Sequence, residues 1–247
     1  MTRHFRRSAF AATLALGAAH ATFAGPPFLT DDPEPTDTGH WEIYAPAFDA
    51  AGRAPDYEGS AGAELNYGAA ADVQLTVGIP ADYVHTSDGF TAGRGDLELS
   101  IKYRFFNDEA HGLQIAFFPG VTVPTGSSGF GSAHVTALLP IWFQKDAGAW
   151  SLFGGGGYAI NPGTGNRDYW TGGVAVSREF SQRLLVGVEA DRQGADAMDG
   201  RATTSLGVGA IARLTSSVRL LASAGPSFVD GDGRTQFHCF VALGLDF

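Results

Sequence analysis

The sequence predicts a transmembrane antiparallel up-and-down β-barrel of about 12 strands, preceded by a cleaved signal peptide, and three observations predict it. In the C-terminal stretch, Phe237, Cys239, Val241, Leu243, Leu245 and Phe247 are apolar at period two, the spacing that puts alternate side chains on opposite faces of a strand. An unbroken apolar strand face that ends in an aromatic residue suits a closing strand whose outer side meets lipid. Strand-length segments also recur along the chain, joined by alternately long and short connections. Finally, Arg3, Arg6 and Arg7 precede an apolar run from Ala9 to Ala19 and small residues at Ala21 and Ala24. That order reads as a secretory signal over residues 1–24, cleaved after Ala21 or Ala24. The apolar run is too short for a membrane-anchoring helix and is broken by His20.

Composition agrees. The three Arg of the signal leave 13 basic and 26 acidic residues, a formal charge of −13, which disfavours nucleic acid as a partner. Cys239 has no second cysteine for an intramolecular disulfide, and its place on the apolar face reads as a small hydrophobe. No apolar run of about 18 residues follows the signal, so spanning by a helix is not expected. With 34 Gly and 12% aromatic residues, the composition is one of strands and turns.

Taken in order, strands are predicted at 40–48, 59–68, 72–80, 95–106, 112–123, 133–144, 149–160, 169–179, 183–191, 202–213, 217–225 and 236–247. Each approximates the roughly 9–11 residues that a tilted spanning strand needs. Ala63, Leu65 and Tyr67 mark one face of the second; Val73, Leu75, Val77 and Ile79 mark the third. The fourth is clearest, with Leu97, Leu99, Ile101, Tyr103 and Phe105 alternating with Asp96, Glu98, Ser100, Lys102 and Arg104. Pro119 and Pro140 imply bulges in the fifth and sixth, and Gly154 to Gly157 blur the faces of the seventh. Leu184, Val186 and Val188 define the ninth. The connections 49–58, 81–94, 124–132, 161–168, 192–201 and 226–235 are long, whereas 69–71, 107–111, 145–148, 180–182 and 214–216 are short. Long outer loops and short periplasmic turns are expected of an outer-membrane barrel. An even strand count then places both termini in the periplasm. Aromatic residues such as Trp41, Phe105, Trp150 and Trp170 fall near strand ends, where interfacial girdles lie.

Several segments look familiar. They are Gly25-Pro-Pro-Phe-Leu-Thr-Asp-Asp-Pro-Glu-Pro35, Glu64-Leu-Asn-Tyr-Gly68 with Asp72-Val-Gln-Leu75, and Gly95-Asp-Leu-Glu-Leu-Ser-Ile-Lys-Tyr-Arg104. So are Phe117-Phe-Pro-Gly-Val-Thr-Val-Pro-Thr-Gly126, and Leu139-Pro-Ile-Trp142 through Gln144-Lys145 to Gly154-Gly-Gly-Gly-Tyr158. From about residue 25 to the C-terminus the chain resembles the outer-membrane proteins grouped as "putative MetA-pathway of phenol degradation", often described as transporters. The resemblance implies a barrel in the bacterial outer membrane and a link to aromatic compounds, and it supplies no catalytic residues. The terminal Phe247 strand resembles the signal that outer-membrane assembly machinery reads.

On this reading the lipid bilayer and a small solute are the partners, and no cofactor is needed. Strand parity places Lys102, Arg104, Arg178, Arg213 and Arg219 near the inner end of the lumen as a charge filter, with Asp96, Glu98, Glu189 and Asp191 toward the outer mouth. Equally, these charges can simply pair across the wall. Lumen charge tunes selectivity in such proteins, and Phe48, Phe118, Leu138, Trp142 and Phe153 are expected to narrow the path. Residues 25–38, acidic at Asp31, Asp32, Glu34 and Asp37, form either a disordered periplasmic leader or a plug paired to Arg104, Arg178, Arg213 or Arg219. The barrel proper occupies 39–247.

Signals of chemistry are weak. His85-Thr-Ser87-Asp88 and Ser132-Ala-His134 are the notable Ser/His neighbours, and neither has the arrangement nucleophilic catalysis requires. Zinc spacings are absent, Gly154 to Gly157 lacks the Lys-Ser/Thr of a phosphate loop, and Asp196, Asp199, Asp230 and Asp232 read as solvated loop residues rather than Ca²⁺ ligands. The expected function is passive passage of small, aromatic or amphipathic solutes. The alternatives are a barrel enzyme acting on lipids (hydrolase or acyltransferase) and a non-conducting structural or surface-interaction barrel.

Overall fold

A computed structural model describes residues 27–247; the predicted signal peptide and its cleavage site lie outside them. The described residues form 14 strand segments in one antiparallel sheet. These are β1 (Trp41–Arg53), β2 (Asp56–Ala70), β3 (Val73–Thr86), β4 (Gly89–Arg94), β5 (Leu97–Asp108), β6 (Leu113–Phe117), β7 (Gly120–Val123), β8 (Thr136–Ala147), β9 (Trp150–Ile160), β10 (Tyr169–Ser181), β11 (Leu184–Gln193), β12 (Thr203–Arg213), β13 (Val218–Val229) and β14 (Thr235–Asp246). β14 pairs with β1, and the amides of Trp41 and Phe247 donate to each other's carbonyls, so the sheet closes on itself. Closure leaves no unpaired edge, the condition for crossing a bilayer with strands.

Two pairs of segments each act as one stave. β4 pairs with the outer part of β3 and β5 with its inner part. β6 and β7, separated by Phe118 and Pro119, lie in succession between β5 and β8. The barrel therefore has the 12 staves the sequence predicts. Residues 49–58 and 81–94, expected as loops, instead extend the β1–β2 and β3–β4 hairpins. Their polar alternation continues the ladder beyond the apolar belt; there, cross-strand aromatic contacts such as Tyr57 stacked on His85 at 4.8 Å hold the ribbon.

Apolar side chains face outward. Ile79, Ile101, Ile141, Val188, Val208 and Phe237 are all exposed, and this is the lipid-facing alternation of a transmembrane barrel. The buried set is largely polar and includes Glu64, Asn66, Gln74, Lys102, Gln144 and Glu189. A register shift between Tyr44 and Ala47 changes the parity of β1. Ala47 is 0% exposed on the lumen side and Phe48 is 44% exposed outside. The expectation that Phe48 narrows the lumen is corrected by this bulge, since one extra residue moves every later side chain to the other face.

Candidate functional site

The lumen is the candidate site, and residues 27–38 shape it. They run inside the barrel, with Pro27, Phe28, Thr30, Asp31, Pro33 and Pro35 buried. Leu29 and Asp31 face an outer chamber with a cavity of about 140 Å³. Pro27, Phe28, Asp32 and Glu34 face inner cavities. The segment thus divides the lumen at the level of Leu29–Asp31.

Small residues in the wall make room for it. A Cβ at Gly187 or Gly209 would come within 2.6 Å or 2.7 Å of the Phe28 ring, one at Gly173 would strike Thr30 Oγ1, and one at Gly68 would strike the Asp37 carbonyl. Phe28 also meets Phe153 edge-on, with centroids 5.7 Å apart. Polar anchors fix the path. The Leu29 and Thr30 amides donate to the two Glu189 carboxylate oxygens at 3.1 and 3.0 Å, and the Thr36 amide donates to Gln74 Oε1 at 2.8 Å. Lys102 Nζ lies 3.1 Å from Asp31 and 3.7 Å from Asp32, and donates to the Glu34 carbonyl at 3.4 Å. Burial pushes the Asp31 carboxyl up to about 6, against the opposing pull of Lys102.

The partner of this segment is therefore Lys102, not the arginines expected. Arg104 instead pairs with Asp72 at 2.7 Å and donates to Gln114, while Arg219 ties Glu42 of β1 to Asp246 of β14. Arg213 lines the inner cavities and donates to the Gln182 carbonyl at 3.3 Å. Arg178 is a correction: it lies on the outer face, since Ala175 and Ser177 are the buried residues of β10. Its guanidinium sits 5.1 Å from both the Trp150 and Phe180 rings. Near a strand end an arginine can keep its charge at the interface while its stem covers apolar surface.

Glu98 and Asp191 line the outer chamber, whereas Glu189 holds the segment. Asp96 has a different task at the β4–β5 junction. It accepts hydrogen bonds from the Thr125, Gly126 and Ser132 amides and the Ser132 hydroxyl, all at 2.6–2.9 Å. Desolvation would raise its pKa, but these donors win and hold it below the usual carboxylate range. Asp96 therefore latches the loop between β7 and β8. Phe118, Leu138 and Trp142 line the outer chamber and Phe153 an inner cavity. Asp37, the last of the segment's acids, accepts the His40 amide through its backbone carbonyl.

Sequence reading also missed a lumen-side relay in which Ser205 Oγ, Ser227 Oγ and His238 Nδ1 are spaced at 3.0 Å. Period two alone puts all three on the inner face, but their pairing depends on the register of β12, β13 and β14. His238 Nε2 has no partner among the described residues, so the orienting acid of a hydrolytic triad is missing. Ser132, in turn, bonds the His134 carbonyl rather than its ring. No group of three or more His, Cys, Asp or Glu suited to a metal ion occurs among the described residues.

Residues 60–237 match the family model described as "Putative MetA-pathway of phenol degradation". Among solved structures, the barrel superposes on the COG4313 outer membrane channel from Pseudomonas putida F1 with a TM-score of 0.67 at 18% identity, covering 87% of this chain and 99% of that one. It also resembles the NanC porin (TM-score 0.58, 8% identity, 83% and 98% covered) and the KdgM porin in complex with disordered oligogalacturonate (0.55, 9%, 81% and 99%). At these identities the likeness is one of fold. No curated protein matches the chain.

Proposed function

The chain belongs to the family described as "Putative MetA-pathway of phenol degradation", and from that premise we propose that it is a passive channel of the bacterial outer membrane for small, amphipathic or aromatic solutes. One observation carries the reading. A closed barrel with an apolar outer belt encloses a polar lumen, which residues 27–38 partition into an outer chamber and inner cavities that meet at Asp31, Glu64 and Phe118. Passage then needs no cofactor and no covalent step; selectivity comes from width, wall charge and the position of the segment. Lys102, Arg104, Arg213 and Arg219 set the charge of the inner half, and Glu98 and Asp191 that of the outer. Both termini are periplasmic on this reading, with the Phe247 strand presented to the assembly machinery before it closes on β1.

The segment acts as a plug of limited tightness. Deleting residues 27–37 from the mature protein should raise single-channel conductance in planar bilayers severalfold. An unchanged conductance in a deletion variant that still migrates as a folded, heat-modifiable barrel would remove the plug from the mechanism.

A further inference from the structure

We propose that the outer chamber is a binding site for a small aromatic cation that carries a hydrogen-bond acceptor at the end remote from its charge, an arylalkylamine of the tyramine class. This deepens the channel reading and rests on it for access to the chamber.

The charge of the wall is one-sided. The carboxylates that line the chamber are Asp31, Glu64, Glu98, Asp191 and Asp196, with no Lys, Arg or His among its lining residues. Lys102 neutralises Asp31, and the Asn66 amide donates to Glu64 at 2.8 Å. Among the described residues no ion pair reaches Glu98, Asp191 or Asp196, and the Asp191 carboxylate accepts only from the backbone amide of its neighbour Arg192. Carboxylates gathered in a concave, partly desolvated wall repel one another and attract a cation more strongly than they would in water.

The remaining lining selects an aromatic body. Phe118, Trp142 and Tyr169 face the same space, and such rings stack on an aryl group and favour an adjacent ammonium. A separate observation also points to a ligand. Trp142 is only 6% exposed, yet its indole N–H has no acceptor among the described residues. A buried donor without a partner is uncommon, and a hydroxyl or carbonyl oxygen on the ligand would satisfy it. The chamber's cavity of about 140 Å³ continues into an open mouth, which leaves room for one single-ring solute.

Calorimetric titration of the refolded mature protein with tyramine and with 4-hydroxyphenylacetate tests the proposal. The two share ring and hydroxyl and differ in the sign of their charge. Tyramine should bind at least tenfold more tightly than the acid, and Glu98→Gln with Asp191→Asn should abolish that preference. Trp142→Phe should weaken tyramine severalfold and leave phenethylamine, which lacks the hydroxyl, unchanged. Equal binding of amine and acid, or tyramine binding undiminished in the folded double variant, overturns the site; should the double variant not fold, the Trp142→Phe comparison decides. Tyramine binding without any single-channel current would sink the channel reading and keep the site, whereas current without tyramine binding would do the reverse.

Discussion

Removing Lys102 should release the N-terminal segment, and the effect should grow with pH. The Lys102 side chain is 5% exposed and that of Asp31 1%, with Nζ 3.1 Å from Oδ1. Taking away one member of a buried ion pair typically costs about 3–5 kcal/mol, because the other charge is left uncompensated. Asp31 can escape that cost only by taking a proton or by leaving the lumen. From an ordinary value near 3.9, protonation costs about 4 kcal/mol at pH 7 and only about 1.5 kcal/mol at pH 5. The sign follows from linkage: a carboxyl raised by burial favours the seated state below its unseated value and ceases to as pH rises through its seated value. The native Asp31, pushed up to about 6, already tends this way, and Lys102→Met pushes it further. At pH 7.5 the variant should then show an unseated segment and raised conductance, approaching the native level near pH 5. Asp31→Asn in the Lys102→Met background should reseat the segment and flatten the pH dependence. Gly209→Val offers a charge-free control, since its side chain would displace Phe28. Seating can be read independently by maleimide labelling of Asp32→Cys in a Cys239→Ala background, because Cys239 is itself exposed. Labelling and conductance of Lys102→Met indistinguishable from the native protein at pH 7.5 would refute the reasoning.

Two other predictions concern residues whose roles the fold reassigned. Asp96→Ala should free the 124–135 loop by removing an acceptor of four hydrogen bonds, seen as proteolysis in that loop with the barrel intact; hydrogen bonds to a charged group contribute about 1.5–3 kcal/mol each at most. Because the Asp96 pKa is lowered, its contribution is present above the ordinary carboxylate value and is lost as pH falls through the lower, folded-state one. The native loop should therefore become protease-sensitive only in strong acid. Arg178→Gln should leave reversal potentials unchanged, since the guanidinium lies outside the lumen; a shift in ion selectivity would return it to the pathway.

The sequence by itself determined the staves and most of their faces. Side-chain alternation is a property of the extended backbone, so Leu99, Ile101 and Tyr103 announce a lipid face, and Glu98, Ser100 and Lys102 a lumen face, without reference to any other strand. The same local rule failed where the chain departs from strict alternation or where charge was equated with the lumen. The bulge at Tyr44–Ala47 turned Phe48 outward, and Arg178 follows the parity of Val174 and Val176 despite its charge. Tertiary structure alone decided how the lumen is used. Lys102 meets Asp31 from 71 residues away, Gly173, Gly187 and Gly209 come from three different strands to receive residues 28–30, and Asp96 reaches a loop some 30 residues on. Such contacts follow from barrel closure and strand register, which bring together residues whose local sequence carries no mark of the partner. A glycine in a strand reads locally as a weakness of the sheet; its function as a seat appears only once another segment is found lying against it.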